Sequence, residues 1–292
     1  SLHDALPILG IIPGLLAGGA AAALFLGRSE YEKDCLVTDT YEICSPKLTE
    51  GGRTLVFLTD LHDKEFGPGN RRLLETIRAA GPDAVLIGGD MMVAKGKGEL
   101  ETSLRLIKAL AGEFPVYCGN GNHELRMKNK TEIYGNKYWE YREALEKMGV
   151  VHVSDGHVCL DRDLVLYGVD LPERYYRPGT PSMEPGFMER ALGKPDEKRF
   201  SILLAHSPVF FEEYAAWGAD LTLSGHFHGG TIRLPVLGGV MTPQYQFFYP
   251  RCAGEFTDEK GRRMLVGRGL GTHSINIRFC DKPQVLVVKL KP

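Results

Sequence analysis

A chain of 292 residues that is 43% hydrophobic has the material for one large domain or two small ones, with a substantial buried core. Its 35 Lys and Arg against 37 Asp and Glu leave a formal charge of −2, which excludes a field that would by itself gather nucleic acid or anionic lipid. No stable nucleic-acid complex is expected, and an anionic substrate must be attracted by local charge.

The first element is the run from Ala5 to Gly27, 23 residues without a formal charge. It is long enough to cross a hydrocarbon core of about 30 Å, although its glycines, alanines, Pro7 and Pro13 dilute the apolar signal. The expectation is a single-pass anchor in the cell membrane, with a cleaved signal peptide as the competing reading. Residues 1–38 then form anchor and juxtamembrane segment, and residues 39–292 one catalytic domain. Arg28, Lys33 and Lys47 follow the run, which on charge favours the cytoplasmic side. The six cysteines are scattered without a CxxC pair, which excludes a zinc finger or a disulfide scaffold. Most read as packed thiols; Cys35 and Cys44 are near enough in sequence to pair in an oxidising compartment.

Beyond the run, short apolar segments rich in β-formers alternate with helical patterns. Strands are predicted at Arg53 to Thr59, Ala84 to Ile87 and Pro115 to Cys118. Between them lie helices at Asn70 to Ala80, with Asn70 as N-cap and Leu73, Leu74 and Ile77 on one face, and at Glu99 to Ala111. A helix at Tyr138 to Met148 precedes short strands at Val151 to Val153, Val158 to Leu160 and Leu164 to Val169. Strands at Phe200 to Ala205 and Asp220 to Leu223 flank a helix at Pro208 to Trp217, and the chain closes on a strand from Gln284 to Leu290. This alternation predicts βαβ units in a layered α/β fold. Pro172 to Pro195 and Leu234 to Arg251 are irregular and read either as cleft walls or as surface loops.

Polar residues fall at the strand ends. The first strand runs into Asp60-Leu61-His62, the second into Gly88-Gly89-Asp90, and the third into a turn carrying Asn122, His123 and Glu124. The later pair run into His206-Ser207-Pro208 and into Ser224-Gly225-His226-Phe227-His228-Gly229-Gly230. Ligands in open α/β sheets sit beyond the carboxyl ends of strands, so five such ends predict one meeting point. Residues two apart on an extended segment share a face, so Asp60 with His62 and His226 with His228 are expected to present ligands in pairs. Imidazoles with carboxylates and an amide oxygen suit Mn, Fe or Zn, and a lone carboxylate such as Asp90 can bridge two cations. His152 and His157 read as structural; His273, Arg268 and Arg278 are secondary candidates for contact with phosphate. The aromatic group Tyr245, Phe247, Phe248 and Tyr249 reads either as a pocket wall or as packing.

The blocks DLH, GGD, GNHE, AHSP and SGHFHGG, in this order, resemble the calcineurin-like metallophosphoesterase superfamily. TIRLPV (Thr231 to Val236) and GRGLG (Gly267 to Gly271) resemble its membrane-anchored bacterial YkuE/YaeI-like branch. The resemblance implies a four-layer αββα sandwich, two mixed sheets flanked by helices. It implies a dinuclear centre with Asp60, His62, Asp90 and His228 on one divalent ion and Asp90, Asn122, His206 and His226 on the other. His123 is then the catalytic residue facing substrate, with Glu124 orienting it. The activity implied is hydrolysis of a phosphate ester by metal-activated water, with a diester or pyrophosphate favoured and lipid-linked or nucleotide substrates as candidates. The alternatives are a broad-specificity phosphomonoesterase and a non-catalytic metal-binding scaffold of the same fold. Glu124 stands where the superfamily more often has Asp, and Asp63 is expected to make the pocket more acidic.

Overall fold

Near-continuous apolar strands need cover on both faces, and the computed structural model supplies it with a second sheet on one side and helices on the other. It describes residues 6–96, 98–179, 181–272 and 275–292, with side chains from residue 18 onward. The elements begin with α1 (Leu6–Lys33), β1 (Val37–Cys44), β2 (Arg53–Leu58), α2 (Arg71–Ala80), β3 (Ala84–Ile87), α3 (Glu101–Ala111) and β4 (Val116–Cys118). Next are α4 (Asn122–Asn129), α5 (Thr131–Tyr134), α6 (Lys137–Lys147), β5 (Val151–His152), β6 (Gly156–Cys159) and β7 (Leu164–Val169). Then come α7 (Phe187–Leu192), β8 (Phe200–Ala205), α8 (Phe211–Trp217), β9 (Leu221–Ser224), β10 (Arg233–Leu234), β11 (Gly238–Gly239), β12 (Gly254–Thr257), β13 (Arg263–Val266) and β14 (Gln284–Lys291).

Two six-stranded mixed sheets result, ordered β1-β14-β2-β3-β4-β5 and β12-β13-β9-β8-β7-β6. The period of two along each strand sorts the core into layers. In β2, Leu55 and Phe57 face the second sheet, where they meet Leu166, Ile202, Leu204 and Leu223. Val56 and Leu58 face the other way, onto Leu73 and Ile77 of α2 and Ile107 of α3. On the far side of the second sheet, Val165, Tyr167 and Leu203 pack against Met188 of α7 and Tyr214 and Trp217 of α8. Each such fully buried large side chain contributes about 1.5–3 kcal/mol relative to exposure. The helix–sheet–sheet–helix order is the layering the resemblance implied.

Several details depart from the sequence expectations. Strand β1, at the edge of the first sheet and parallel to β14, was not expected, because VTDTYEIC mixes polar and apolar residues and leaves one face to solvent. Helix α4 was hidden as well, since NHELRMKN carries no apolar stripe. Asn70 sits at the N-cap position of α2, but with φ 60 its Oδ1 accepts from Phe66 N–H at 2.9 Å, so it staples the preceding turn and makes no side-chain cap. All six cysteines are free thiols, Cys35 and Cys44 included; Cys118 and Cys252 are buried, whereas Cys44, Cys159 and Cys280 are exposed.

The expected membrane anchor, Ala5 to Gly27, lies partly outside the described residues: Ala5 altogether, and the side chains of residues 6–17. Among the described residues no helix is long and apolar enough to cross a membrane. The end of α1 instead packs onto the α/β body. Ser29 Oγ accepts from Arg278 N–H at 3.0 Å, Glu32 Oε2 accepts from Asp281 N–H at 3.1 Å, and Phe25 stacks on Phe279 at 4.8 Å.

Candidate metal centre

The ends of β2, β3 and β4 in one sheet and of β8 and β9 in the other open onto a common edge, and backbone bonds lock their loops together. Asp60 N–H donates to Gly89 O at 3.0 Å, and His62 N–H to Asp90 O at 3.1 Å. Between the sheets, His226 N–H reaches the Asp60 carboxylate at 3.0–3.1 Å and the His206 ring meets Gly88 O at 2.8 Å.

Convergence is achieved by curled backbone, not by the extended alternation expected from sequence. Asp60, His62, Asp90, His226 and His228 all have positive φ, between 47 and 68. Such conformations cost of order 1–3 kcal/mol each in non-glycine residues and persist where the surroundings over-determine them. Glycine makes room for this. A Cβ on Gly121 would lie 2.2 Å from Asp90 Oδ1, and one on Gly225 would lie 2.3 Å from Asp60 Oδ2.

Seven of the predicted residues meet in three overlapping groups, with ligand atoms within 4.8 Å of one another: Asp60, His62 and His228; His62, Asp90 and His123; Asp90, His206 and His226. Asp90 Oδ2 lies 3.2 Å from His206 Nε2 and 3.9 Å from both His62 Nε2 and His123 Nε2, so it stands at the junction. Asp60 Oδ1 lies 3.5 Å from His228 Nε2 and 3.7 Å from His206 Nε2. Asn122 lines the same cleft.

The donor set fits divalent cations. Asp60 and Asp90 are 0% and 2% exposed, and among the described residues no Lys or Arg pairs with either. Among the described residues, Asn122 Oδ1, His206 Nε2 and His226 Nε2 are buried without a hydrogen-bond partner, an arrangement that is costly unless another group engages them. The contact between His206 Nε2 and Asp90 is therefore one of charge and not an aligned hydrogen bond. Burial opposes charge on His206, yet Asp90 and Asp60 outweigh it and push the imidazole up to about 10. Burial likewise opposes charge on Asp90, but His206 and His123 hold it well below the usual carboxylate range. Burial, then the charge of His206, drives His226 well below its ordinary value. The carboxylates thus demand positive charge, which His206 supplies and the buried His226 and His228 do not, and bound cations would meet the rest of the demand.

Hydrogen bonding sorts the imidazoles by role. His206 and His228 direct Nδ1 at the carbonyls of Gly88 (2.8 Å) and Gly271 (3.1 Å), so each donates from Nδ1 and leaves Nε2 facing the cluster, where a cation would displace any proton it carries. His123 is the reverse: its Nδ1 accepts from Ala94 N–H at 2.8 Å, which leaves the proton on Nε2. Glu124, predicted to orient His123, has a different task. Its Oε2 accepts from Asp90 N–H (2.8 Å) and Gly121 N–H (2.9 Å), and its Oε1 from Met91 N–H (3.0 Å). As the third residue of α4 it binds back to the helix start and fixes the loop that presents Asp90.

Asp63 accepts from Val93 N–H at 3.0 Å, with burial pushing its carboxyl up to about 6, so it braces a loop and does not line the cleft. Arg278 lines the cleft, but its guanidinium is committed to the carbonyls of Arg268, Gly269 and Gly271 and to Asp281. Arg268 pairs with Asp39. His152 bonds Asn120, as a structural reading requires, and His273 lies outside the described residues.

Two residues escaped the sequence reading. Tyr176 packs edge-on to His226 at 4.9 Å, with its buried hydroxyl lacking a protein partner, and Arg126 lines the cleft one helical turn beyond Asn122. The location of Tyr176 in an irregular stretch and of Arg126 in an unrecognised helix hid both. The irregular stretches do wall the cleft, through Tyr176 and through Met241 to Pro243 and Tyr245, and the cleft is an open cavity of about 180 Å³. Tyr249 instead packs on Phe227 at 5.3 Å.

Histidines and carboxylates gathered at strand ends beneath an open cleft define a metal-dependent site on an α/β sandwich. A model of the Calcineurin-like phosphoesterase family matches residues 53–230, more than half of the chain, and the chain belongs to that family. It is 26% identical to the uncharacterized metallophosphoesterase YkuE of Bacillus subtilis (strain 168), over 97% of this chain and 95% of that one. Phosphodiesterase YaeI of Escherichia coli (strain K12) is 26% identical over 81% of each chain. The UDP-2,3-diacylglucosamine pyrophosphatase LpxG of Chlamydia trachomatis serovar D is 30% identical over 101 residues, 30% of this chain and 28% of that one.

Proposed function

We propose that this chain is a dinuclear metal-dependent hydrolase of phosphate diesters or pyrophosphates. The observation that carries the reading is the opposed hydrogen bonding of the imidazoles: His206 and His228 donate from Nδ1 and keep Nε2 for the cluster, while His123 accepts at Nδ1 and turns an Nε2 N–H. Asp60, His62, Asp90 and His228 would hold one cation and Asp90, Asn122, His206 and His226 the other, with Mn, Fe or Zn suited to these donors. When bound, such cations polarise phosphoryl oxygens and acidify water. In the reaction one water adds to phosphorus, the bond to the leaving group breaks, and a proton from that water ends on the departing oxygen, while His123, neutral with Nδ1 held by Ala94 N–H, donates a hydrogen bond from Nε2 to the oxygen on which charge develops. Tyr176, with its hydroxyl beside His226, is positioned to donate to a phosphoryl oxygen.

A lipid-linked pyrophosphate is the substrate class we favour, since the cleft is also lined by the apolar Met241, Pro243, Ile275 and Ile277 and the similar LpxG bears the name of a UDP-2,3-diacylglucosamine pyrophosphatase. We also propose attachment to the cell membrane through Ala5 to Gly27, which fractionation of cells with alkaline washing of the membranes would test.

The first experiment is hydrolysis of bis(p-nitrophenyl) phosphate and p-nitrophenyl phosphate by the metal-stripped chain with Mn added back. Metal-dependent cleavage that prefers the diester supports the proposal. Preference for the monoester points to a phosphatase, and a folded, Mn-binding chain that cleaves neither these nor a lipid pyrophosphate is a scaffold.

A further inference from the structure

Two arginines line the cleft among the described residues, and their circumstances differ. Arg278 is 1% exposed and commits both terminal nitrogens to backbone carbonyls and Asp281, with only the buried Nε left over among the described residues. Arg126 is half-buried, and no carboxylate or carbonyl among the described residues takes its guanidinium. The other cations of this segment are engaged, Lys128 with Asp170 at 3.3 Å and Lys130 with Glu173 at 3.0 Å. An open fork of donors in a cleft is suited to bidentate capture of a phosphoryl group.

Its position says which one. On α4, Arg126 comes three residues after His123 and four after Asn122, so the three side chains share a face of the helix one turn apart. A phosphoryl group at Asn122 and His123 therefore has Arg126 as its neighbour on the side leading away from the metal cluster. The same cleft is also lined by Met241, Thr242, Pro243 and Tyr245, so its walls reach beyond the metal cluster and Arg126.

We infer that Arg126 is a specificity-determining residue that binds the second phosphoryl group of a pyrophosphate diester while the first is held at the metal cluster. This rests on the reading of the site as a phosphoester hydrolase and deepens it. A simple diester has one phosphoryl group and leaves the guanidinium unused; a pyrophosphate diester engages both positions.

The test compares the Mn-loaded wild type with Arg126→Ala and Arg126→Lys on diadenosine pyrophosphate and on bis(p-nitrophenyl) phosphate, with calorimetric binding of α,β-methylene-ADP and of inorganic phosphate beside them. Loss of a charge-assisted bond predicts that Arg126→Ala lowers kcat/KM for the pyrophosphate about 10- to 100-fold, mostly through KM, and about tenfold more than for the simple diester. Arg126→Lys should recover part of the loss, and α,β-methylene-ADP should weaken more than phosphate. Equal losses on both substrates, or unchanged α,β-methylene-ADP binding in Arg126→Ala, overturn the inference. If the wild type cleaves the simple diester but neither cleaves nor binds the pyrophosphate probes, the subsite is refuted and the hydrolase reading stands. If it cleaves nothing yet binds α,β-methylene-ADP through Arg126, the subsite stands and the hydrolase reading falls.

Discussion

The two walls of the cleft are built by different means. The metal-bearing wall consists of residues that end core strands, so Asp60, Asp90, His123, His206 and His226 are all 6% exposed or less and locked by loop-to-loop hydrogen bonds. The facing wall is carried by connecting segments, where Tyr245 is 67% and Ile275 40% exposed. The contrast shows how one scaffold separates tasks: chemistry needs fixed geometry and sits on the sheets, while choice of substrate rides on loops that can vary without disturbing the core.

Replacing His123 on the rigid wall should have the largest effect. His123→Ala is expected to lower kcat by about 10²–10⁴-fold with bound metal unchanged, read by steady-state kinetics beside elemental analysis. If metal is lost in proportion to activity, His123 is a ligand and not the hydrogen-bond donor to the substrate. Glu124→Gln comes next. Its carboxylate holds three backbone N–H groups around Asp90, so activity and metal affinity should fall about 10- to 100-fold together, as for other groups that orient metal ligands. A drop in kcat with full metal affinity would return Glu124 to the catalytic role expected from sequence.

Arg278 tests the support beneath both walls. Arg278→Met strands the buried Asp281, so the free energy of unfolding in urea should fall by about 3–5 kcal/mol, and adding Asp281→Asn should restore part of it. An additive double mutant would break the pairing. On the loop wall, Tyr245→Ala should raise KM for a bulky substrate several-fold, about 1 kcal/mol, with kcat for small substrates little changed.

A pH dependence, visible only on acidification, lies behind the GNGNHE turn. His152 bonds Asn120 Oδ1 at 2.8 Å, and burial, with Arg142 and Lys128 nearby, lowers it from 6.5 to about 3. The unfolded chain therefore takes a proton at His152 below about 6.5 while the folded chain does not, so stability is full above that pH and is lost as pH falls toward about 3. His152→Asn should flatten this slope in urea titrations at a series of pH values; an unchanged slope assigns the acid sensitivity elsewhere.

Much of this was legible in the chain itself. Apolar β-rich runs and amphipathic stripes located nearly all the core elements because periodicity reports burial directly, as at Ala84–Ile87, Leu164–Val169 and Phe200–Ala205. Strand β1 and helix α4 were not legible, since a half-solvated edge and a polar active-site helix carry little periodic signal. The seven charged or imidazole residues of the cluster were legible because ligand chemistry restricts their type and strand ends restrict their place.

The sequence by itself therefore determined the family, the layered fold and the set of residues that meet. The tertiary structure alone decided their tasks. Ala94, 29 positions from His123, selects its proton-bearing nitrogen; Glu124 is turned from His123 toward the Asp90 loop; Arg278 is consumed by carbonyls while Arg126 stays open to the cleft. The reason is physical: a residue's type limits what it can do, but its tautomer, charge and free donors are set by partners brought near through folding, and spacing along the chain does not encode those partners.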